Sequence, residues 1–198
     1  MSGKAQITTQ FIIETVAPVF NRMGYAATSM SDITRATGLT KGAIYGNFDS
    51  KEHLAIEAFN FSIRRVIGAL SYKMNAEISP RQKLRVMTQF YREYYESTHA
   101  FGGCPLLNIG VDANHFQPVL HERIKSIIRK LQANLATIIR EGQTQGEFRA
   151  DLNPDRLGAL LFSHIQGANY TSVMLGDPQY LCDMMDWIDQ DIDRHWMN

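Results

Sequence analysis

The stretch from Thr28 to Leu54, TSMSDITRATGLTKGAIYGNFDSKEHL, constrains this chain most, because its helix boundaries are written residue by residue. Ser29 and Asp32 form an S-x-x-D capping pair, so a helix begins near Met30. Ile33 and Ala36 give that helix a small apolar face. Gly38 stops it, since glycine accepts the positive φ that a helix C-terminus commonly needs. Thr40 caps a second helix, and Ser50 caps a third that opens with Lys51 and Glu52. Two short helices joined by a tight turn, with a third following at once, make the layout of a helix-turn-helix that reads duplex DNA.

The second helix, expected over residues 41–48, suits the recognition role. Ile44 and Phe48 stand four apart and pack inward, leaving Lys41, Gly42, Tyr45 and Asn47 outside. Gly42 and Ala43 are small enough to let backbone approach a duplex. Lys41 can pair with a phosphate, and the Tyr45 phenol can donate to one. The Asn47 amide suits a base edge or a phosphate. Lys51 stands at a further helix N-terminus, itself a favourable anion site. Taken one at a time, these residues also fit a helical hairpin within a larger core, with Tyr45 an ordinary half-buried aromatic.

Residues 12–54 resemble the N-terminal domain of the tetracycline-repressor (TetR) family of bacterial transcription regulators. The matching residues are FNRMGYAATS, then DITRATGLTKGAIYGNF, then Ser50-Lys51-Glu52. The resemblance implies a homodimeric repressor with a helical effector-binding domain downstream. It also implies DNA contacts at Thr28, Thr40, Lys41, Gly42, Tyr45 and Lys51. The chain departs from the family pattern at Gly46 and Asn47, where relatives often carry aromatic or histidine residues; this bears on base preference rather than on docking.

The net charge of zero over 198 residues looks unfavourable for DNA binding until its distribution is read. Residues 177–198 hold six aspartates and one arginine, so the rest of the chain is basic in balance. That acidic stretch is expected to lie away from a duplex. Residues 1–50 are only weakly basic, so helix N-termini and neutral donors are expected to supply much of the phosphate contact. The chain has no apolar run of membrane-span length, and its start lacks the layout of a signal peptide. Cys104 and Cys182 suggest neither a disulfide framework nor a metal cluster, and the chain reads as cytoplasmic. No metal site, cofactor motif or catalytic constellation is found, so an all-helical enzyme or carrier has no positive support.

The whole chain reads as all-α. An N-terminal three-helix helix-turn-helix domain (1–50) is followed by a larger helical domain (51–198) for effector binding and dimerisation. The first helix is expected to end at Gly24. A long helix runs from Ser50 to about Asn75, and another from Pro80 to about Thr98. Pro118, Pro154 and Pro178 open three more. In the last two of these, Leu157, Leu161, His164 and Ile165, with Met185 and Ile188, form apolar stripes. They suit a four-helix seam between two copies, or burial within their own domain.

Phe90, Tyr91, Tyr94 and Tyr95 are concentrated in six positions, and Phe101, Phe116, Phe162 and Tyr170 are expected to converge on them. Such residues build a core, or line a cavity for a small apolar or aromatic effector. Cys104 sits in the turn FGGCPLLN, as packing or as a thiol that senses redox agents or electrophiles. The sequence-level expectation is a DNA-binding regulator, released from a pseudo-palindromic operator in double-stranded DNA by a small-molecule effector. It works as a homodimer without membrane attachment; a repressor acting through Cys104 is the alternative.

Overall fold

The computed structural model describes residues 3–99, 101, 103–116 and 118–198. Ten α-helices are found among them: α1 (Gly3–Ala27), α2 (Met30–Thr37), α3 (Lys41–Tyr45), α4 (Lys51–Asn75), α5 (Pro80–Arg92), α6 (Tyr94–His99), α7 (Pro105–Phe116), α8 (Pro118–Thr144), α9 (Pro154–Leu175) and α10 (Gln179–Asp191). A wider π-type turn, Ile192–Trp196, ends the chain's helical structure. The described residues hold no strand, only one isolated bridge between Phe148 and Met197.

Contacts divide the chain into two compact units: Met1–Ile67 with Ala100–Ile124, and Gly68–His99 with Lys125–Asn198. The first unit reaches beyond residue 50 because α1 packs on both α2 and α7. Its core is built from Ile12, Val16, Phe20, Ile33, Ile44, Leu54, Phe59 and Ile109, all nearly inaccessible to solvent. Gly24 breaks α1 as its residue type suggests, with φ at +77°, but helical turns resume and run to Ala27.

In the second unit α10 packs against both α5 and α9, and α9 also packs against α6. Leu84, Met87, Leu161, Ile165, Leu181, Met185 and Ile188 fill the space between them. Gly158 lets α9 approach α8 closely: a Cβ there would lie 2.6 Å from the Gln132 carbonyl oxygen. The helix expected from Pro80 to Thr98 is broken at Glu93, whose backbone (φ −91°, ψ −7°) leaves the helical ladder before α6 restarts it. The C-terminal aspartates are not a free acidic tail. Asp186, Asp189 and Asp193 pair with Arg81, Arg85 and Arg92 of α5.

Candidate nucleic-acid interface and effector site

The helix-turn-helix is held by the caps its sequence announces. The Ser29 hydroxyl oxygen accepts the Asp32 N–H at 3.2 Å, and the Asp32 carboxylate accepts the Ser29 N–H at 2.9 Å. Hydrogen bonds from the Ser29 hydroxyl and N–H hold the Asp32 carboxyl below the usual carboxylate range. Gly38 takes the left-handed conformation, φ +69° and ψ 8°, and donates its N–H to the Thr34 carbonyl. Thr40 then caps α3 by accepting the Ala43 N–H at 3.2 Å. α3 is shorter than the sequence suggests, although helical hydrogen bonding carries on from the Phe48 N–H to the Ile44 carbonyl. Ile44 and Phe48 are buried as expected, at 1% and 2% exposure.

Lys41, Gly42, Ala43 and Tyr45 form an exposed outer face. The Lys41 ammonium lies 5.8 Å from the centre of the Tyr45 ring, so cation and phenol occupy one patch. Thr40 keeps its hydroxyl proton for an outside acceptor, since its cap uses the oxygen as acceptor. At the start of α4 the Ser50 hydroxyl accepts the His53 N–H. The Lys51 ammonium sits 4.3 Å over the Tyr25 ring. Burial lowers the Lys51 pKa, and the Asp112 carboxylate opposes that shift. Burial first, then the Glu52 carboxylate and the Tyr45 phenol, push the Tyr25 phenol above its ordinary range.

Two residues of the expected DNA face are used internally. Thr28 is 1% exposed, and its hydroxyl donates to the Gly24 carbonyl at 2.6 Å, so it braces the kink in α1. The Asn47 amide donates to the Ala43 carbonyl at 2.9 Å and accepts the Thr9 hydroxyl at 2.8 Å, tying α1 to the end of α3. The bond from Thr9, 38 residues away, is beyond the reach of local spacing. Asp112 of α7 is a functional candidate that sequence reasoning missed. Its carboxylate accepts the Ala26 N–H at 2.9 Å, beside Gly24, from a position 86 residues away in sequence. Asn21 and Asn108 fasten the same region reciprocally. Asn21 donates to the carbonyls of Phe101 (2.6 Å) and Gly103 (2.8 Å), and Asn108 donates to that of Asn21 (3.1 Å).

The aromatic residues fall into different units. In the second, the rings of Phe90, Tyr91 and Tyr94 tile together with centres 5.3–5.7 Å apart. Tyr94 is 3% exposed, while Phe90, Tyr91, Tyr95 and Phe162 are half-buried. Tyr170 instead points outward at 53% exposure, because α9 turns that face away from its packed side. Phe101 and Cys104 belong to the first unit. The Arg65 guanidinium stacks 3.4 Å from the Phe101 ring centre. Cys104 is 4% exposed at the start of α7, where its carbonyl accepts the N–H groups of Leu107 and Asn108. Such burial opposes the reagent access that a sensor thiol requires. The Phe116 side chain lies outside the described residues.

Of the stripes expected at a seam between copies, Leu161, Ile165, Met185 and Ile188 are at most 3% exposed within a single chain. α9 and α10 bury these faces against each other. Leu157 and His164 are half-buried, and the opposite face is apolar and open. Leu160, Met174 and Trp187 are 41%, 59% and 49% exposed there. The His164 and Trp187 rings meet edge to face at 5.1 Å across the two helices.

Comparison with known proteins agrees with this architecture. Residues 12–58 match the family described as bacterial regulatory proteins, tetR family. Residues 80–188 match the tetracyclin repressor-like C-terminal domain. The repressor DhaR of Mycobacterium sp. (strain GP1) is 28% identical over 162 residues, spanning 80% of this chain and 79% of its own. A TetR-family regulator from Cytophaga hutchinsonii superimposes with a TM-score of 0.91 at 35% identity, covering 98% of this chain and 96% of its own. A TetR regulator from Chloroflexus aurantiacus gives 0.93 at 30% identity, covering 99% of both chains. No helix among the described residues is long and apolar enough to cross a membrane. With an N-terminal helix-turn-helix, a helical C-terminal unit and these likenesses along nearly its whole length, the chain belongs to the TetR family of bacterial transcriptional regulators.

Proposed function

We propose that the chain is a homodimeric repressor. It holds a pseudo-palindromic operator through α3 and releases it when a small apolar or aromatic molecule occupies the second unit. One observation carries the DNA half of the proposal: Lys41, Gly42, Ala43 and Tyr45 stand together on an exposed face over a buried Ile44 anchor. Thr40 and Lys51 flank that face at the N-termini of α3 and α4, where N–H groups and helix dipole favour phosphate. The tiled rings of Phe90, Tyr91 and Tyr94 support the effector half. The open apolar face of α9 and α10 supports pairing with a second copy.

The test is a titration of operator duplex at several salt concentrations, using fragments selected from genomic DNA by the purified protein. Lys41→Ala is expected to weaken binding and to lower the slope of log affinity against log salt by about one unit. Tyr45→Phe is expected to weaken binding with a smaller change of slope, since it removes a neutral donor. Both variants are expected to keep the parent's helical content. Parental affinity and slope in both would remove α3 from the interface.

A further inference from the structure

Among the described residues, Asn169 stands apart: both polar atoms of its side chain are buried and neither has a hydrogen-bond partner. The residue is 1% exposed on α9. Its neighbour on the same buried face, Ser172, is answered, because the Ser172 hydroxyl oxygen accepts the Leu181 N–H at 3.0 Å. Asn21 differs too, since its amide N–H groups reach two carbonyls and only its oxygen goes without. A buried amide with neither donor nor acceptor satisfied weakens the fold relative to a leucine of similar volume. Its presence calls for a group that answers it.

The surroundings say what kind of group. Helical spacing puts Asn169 on the side of α9 that carries Phe162, two turns back, and Ile165, one turn back. The open face with Leu160 and Gly167 lies on the opposite side. α6, which carries Tyr94 and Tyr95, packs against α9, and the Tyr94 ring adjoins Phe90 and Tyr91. The guanidinium groups of α5 are already held by aspartates of α10. The Lys73 ammonium lies 5.9 Å from the centre of the Phe90 ring, so it is the donor-and-acceptor edge of the Asn169 amide, rather than a want of cations, that disfavours an anion. A carboxylate would set acceptor against the Asn169 oxygen, and an ammonium would set donor against its N–H groups.

We infer that Asn169 reads an uncharged polar edge on an aromatic effector, one donor beside one acceptor, as in a carboxamide or lactam. The Asn169 N–H donates to the ligand carbonyl, and the ligand N–H donates to Asn169 Oδ1. The inference rests on the proposal that the second unit holds the effector.

The test compares 2-naphthamide with naphthalene and 2-naphthoate, by calorimetric titration and by release of bound operator duplex. The parent is expected to bind 2-naphthamide about tenfold more tightly than either other compound, as two added hydrogen bonds allow. Asn169→Leu is expected to lose that preference while melting no lower than the parent and binding operator equally well. In the parent, the side-chain amide resonances of Asn169 are expected to shift on adding 2-naphthamide, a readout that needs no variant. Equal binding of naphthamide and naphthalene would overturn the role of Asn169 and leave an apolar pocket standing. A preference that persists in Asn169→Leu would also overturn it. Binding of none of the three would overturn both the role of Asn169 and the effector site beneath it.

Discussion

Single residues decide how the recognition helix is presented. α3 has five residues, too few to be stable alone, so its orientation depends on Thr40 at its start and on Ile44 beneath it. The preceding helix depends equally on one pair, Ser29 and Asp32, whose reciprocal bonds fix the direction in which α2 leaves α1. This pair makes the fold sensitive to acid in a defined direction. The Asp32 carboxyl titrates lower in the folded chain than in the unfolded one, chiefly because the Ser29 hydroxyl and N–H donate to its ionised form. Its contribution is therefore complete above the unfolded value and is lost as pH falls through the folded value, that is, below about pH 4. Ser29→Ala is expected to melt below the parent at pH 7. The gap between their melting temperatures is expected to narrow toward pH 3, as followed by circular dichroism. A gap independent of pH would mean that the carboxylate takes no part in the cap.

At the scale of elements, α5 and α10 are joined by a polar ladder inside an otherwise apolar contact. Thr88 donates to Asp189 Oδ1 at 2.8 Å, and Arg92 donates to Asp189 Oδ2 at 2.7 Å and to Asp186 at 2.6 Å. Arg85 reaches both Asp189 and Asp193, and Arg81 reaches Asp193. Burial works against ionisation of Asp193, yet the hydrogen bonds from Arg81 and Arg85 hold it below the usual range. Asp189 is the least exposed of the charged members; removing it takes a partner from Arg85, Arg92 and the Thr88 hydroxyl at once, leaving Arg92 only Asp186 and Thr88 only the Arg85 carbonyl. Asp189→Ala is expected to lower stability by about 3 kcal/mol in urea unfolding, and an effect under about 1 kcal/mol would show that the ladder is only a surface network. Sequence spacing could not reveal this ladder, because its partners lie about a hundred positions apart. What spacing did reveal is local. The caps at Ser29, Thr40 and Ser50, the glycine stop at Gly38 and the helix-opening prolines at 80, 118 and 154 all act within four residues of themselves. The stripes on α9 and α10 were legible as apolar but not as facing each other. Periodicity marks a buried face without naming what buries it. Asn47 escaped for the same reason, since the Thr9 hydroxyl that occupies its oxygen comes from 38 residues away; Thr28 escaped because residue type suits an outer face, while burial turns its hydroxyl back onto the Gly24 carbonyl.

For the whole molecule, the decisive quantity under the proposed function is the spacing of two recognition helices, which only a second copy can fix. A single chain presents one α3 and so reads one half-site. The faces of α9 and α10 that pack internally cannot also pair two chains, so charges placed at Leu161 or Ile165 would damage the fold rather than the assembly. The opposite face gives a cleaner test. Gly167 is exposed there on α9, on the side that carries Leu160 and His164, and a Cβ built on it meets no atom within 4 Å. Gly167→Arg therefore adds no clash to the single chain and favours helix slightly over glycine. Across a two-fold seam it sets two guanidinium groups near each other on desolvated apolar surface, which nothing there would offset. The variant is expected to elute as a monomer in light scattering at micromolar concentration, where the parent is expected to elute as a dimer, with melting and circular dichroism those of a folded chain. Its affinity for a full operator is expected to fall by at least tenfold, while affinity for a half-site duplex stays within about twofold of the parent. Dimer mass and full-operator affinity both retained in Gly167→Arg would move the contact between copies away from this face. A folded monomer that still bound the full operator at parental strength would instead remove the need for a dimer in DNA recognition.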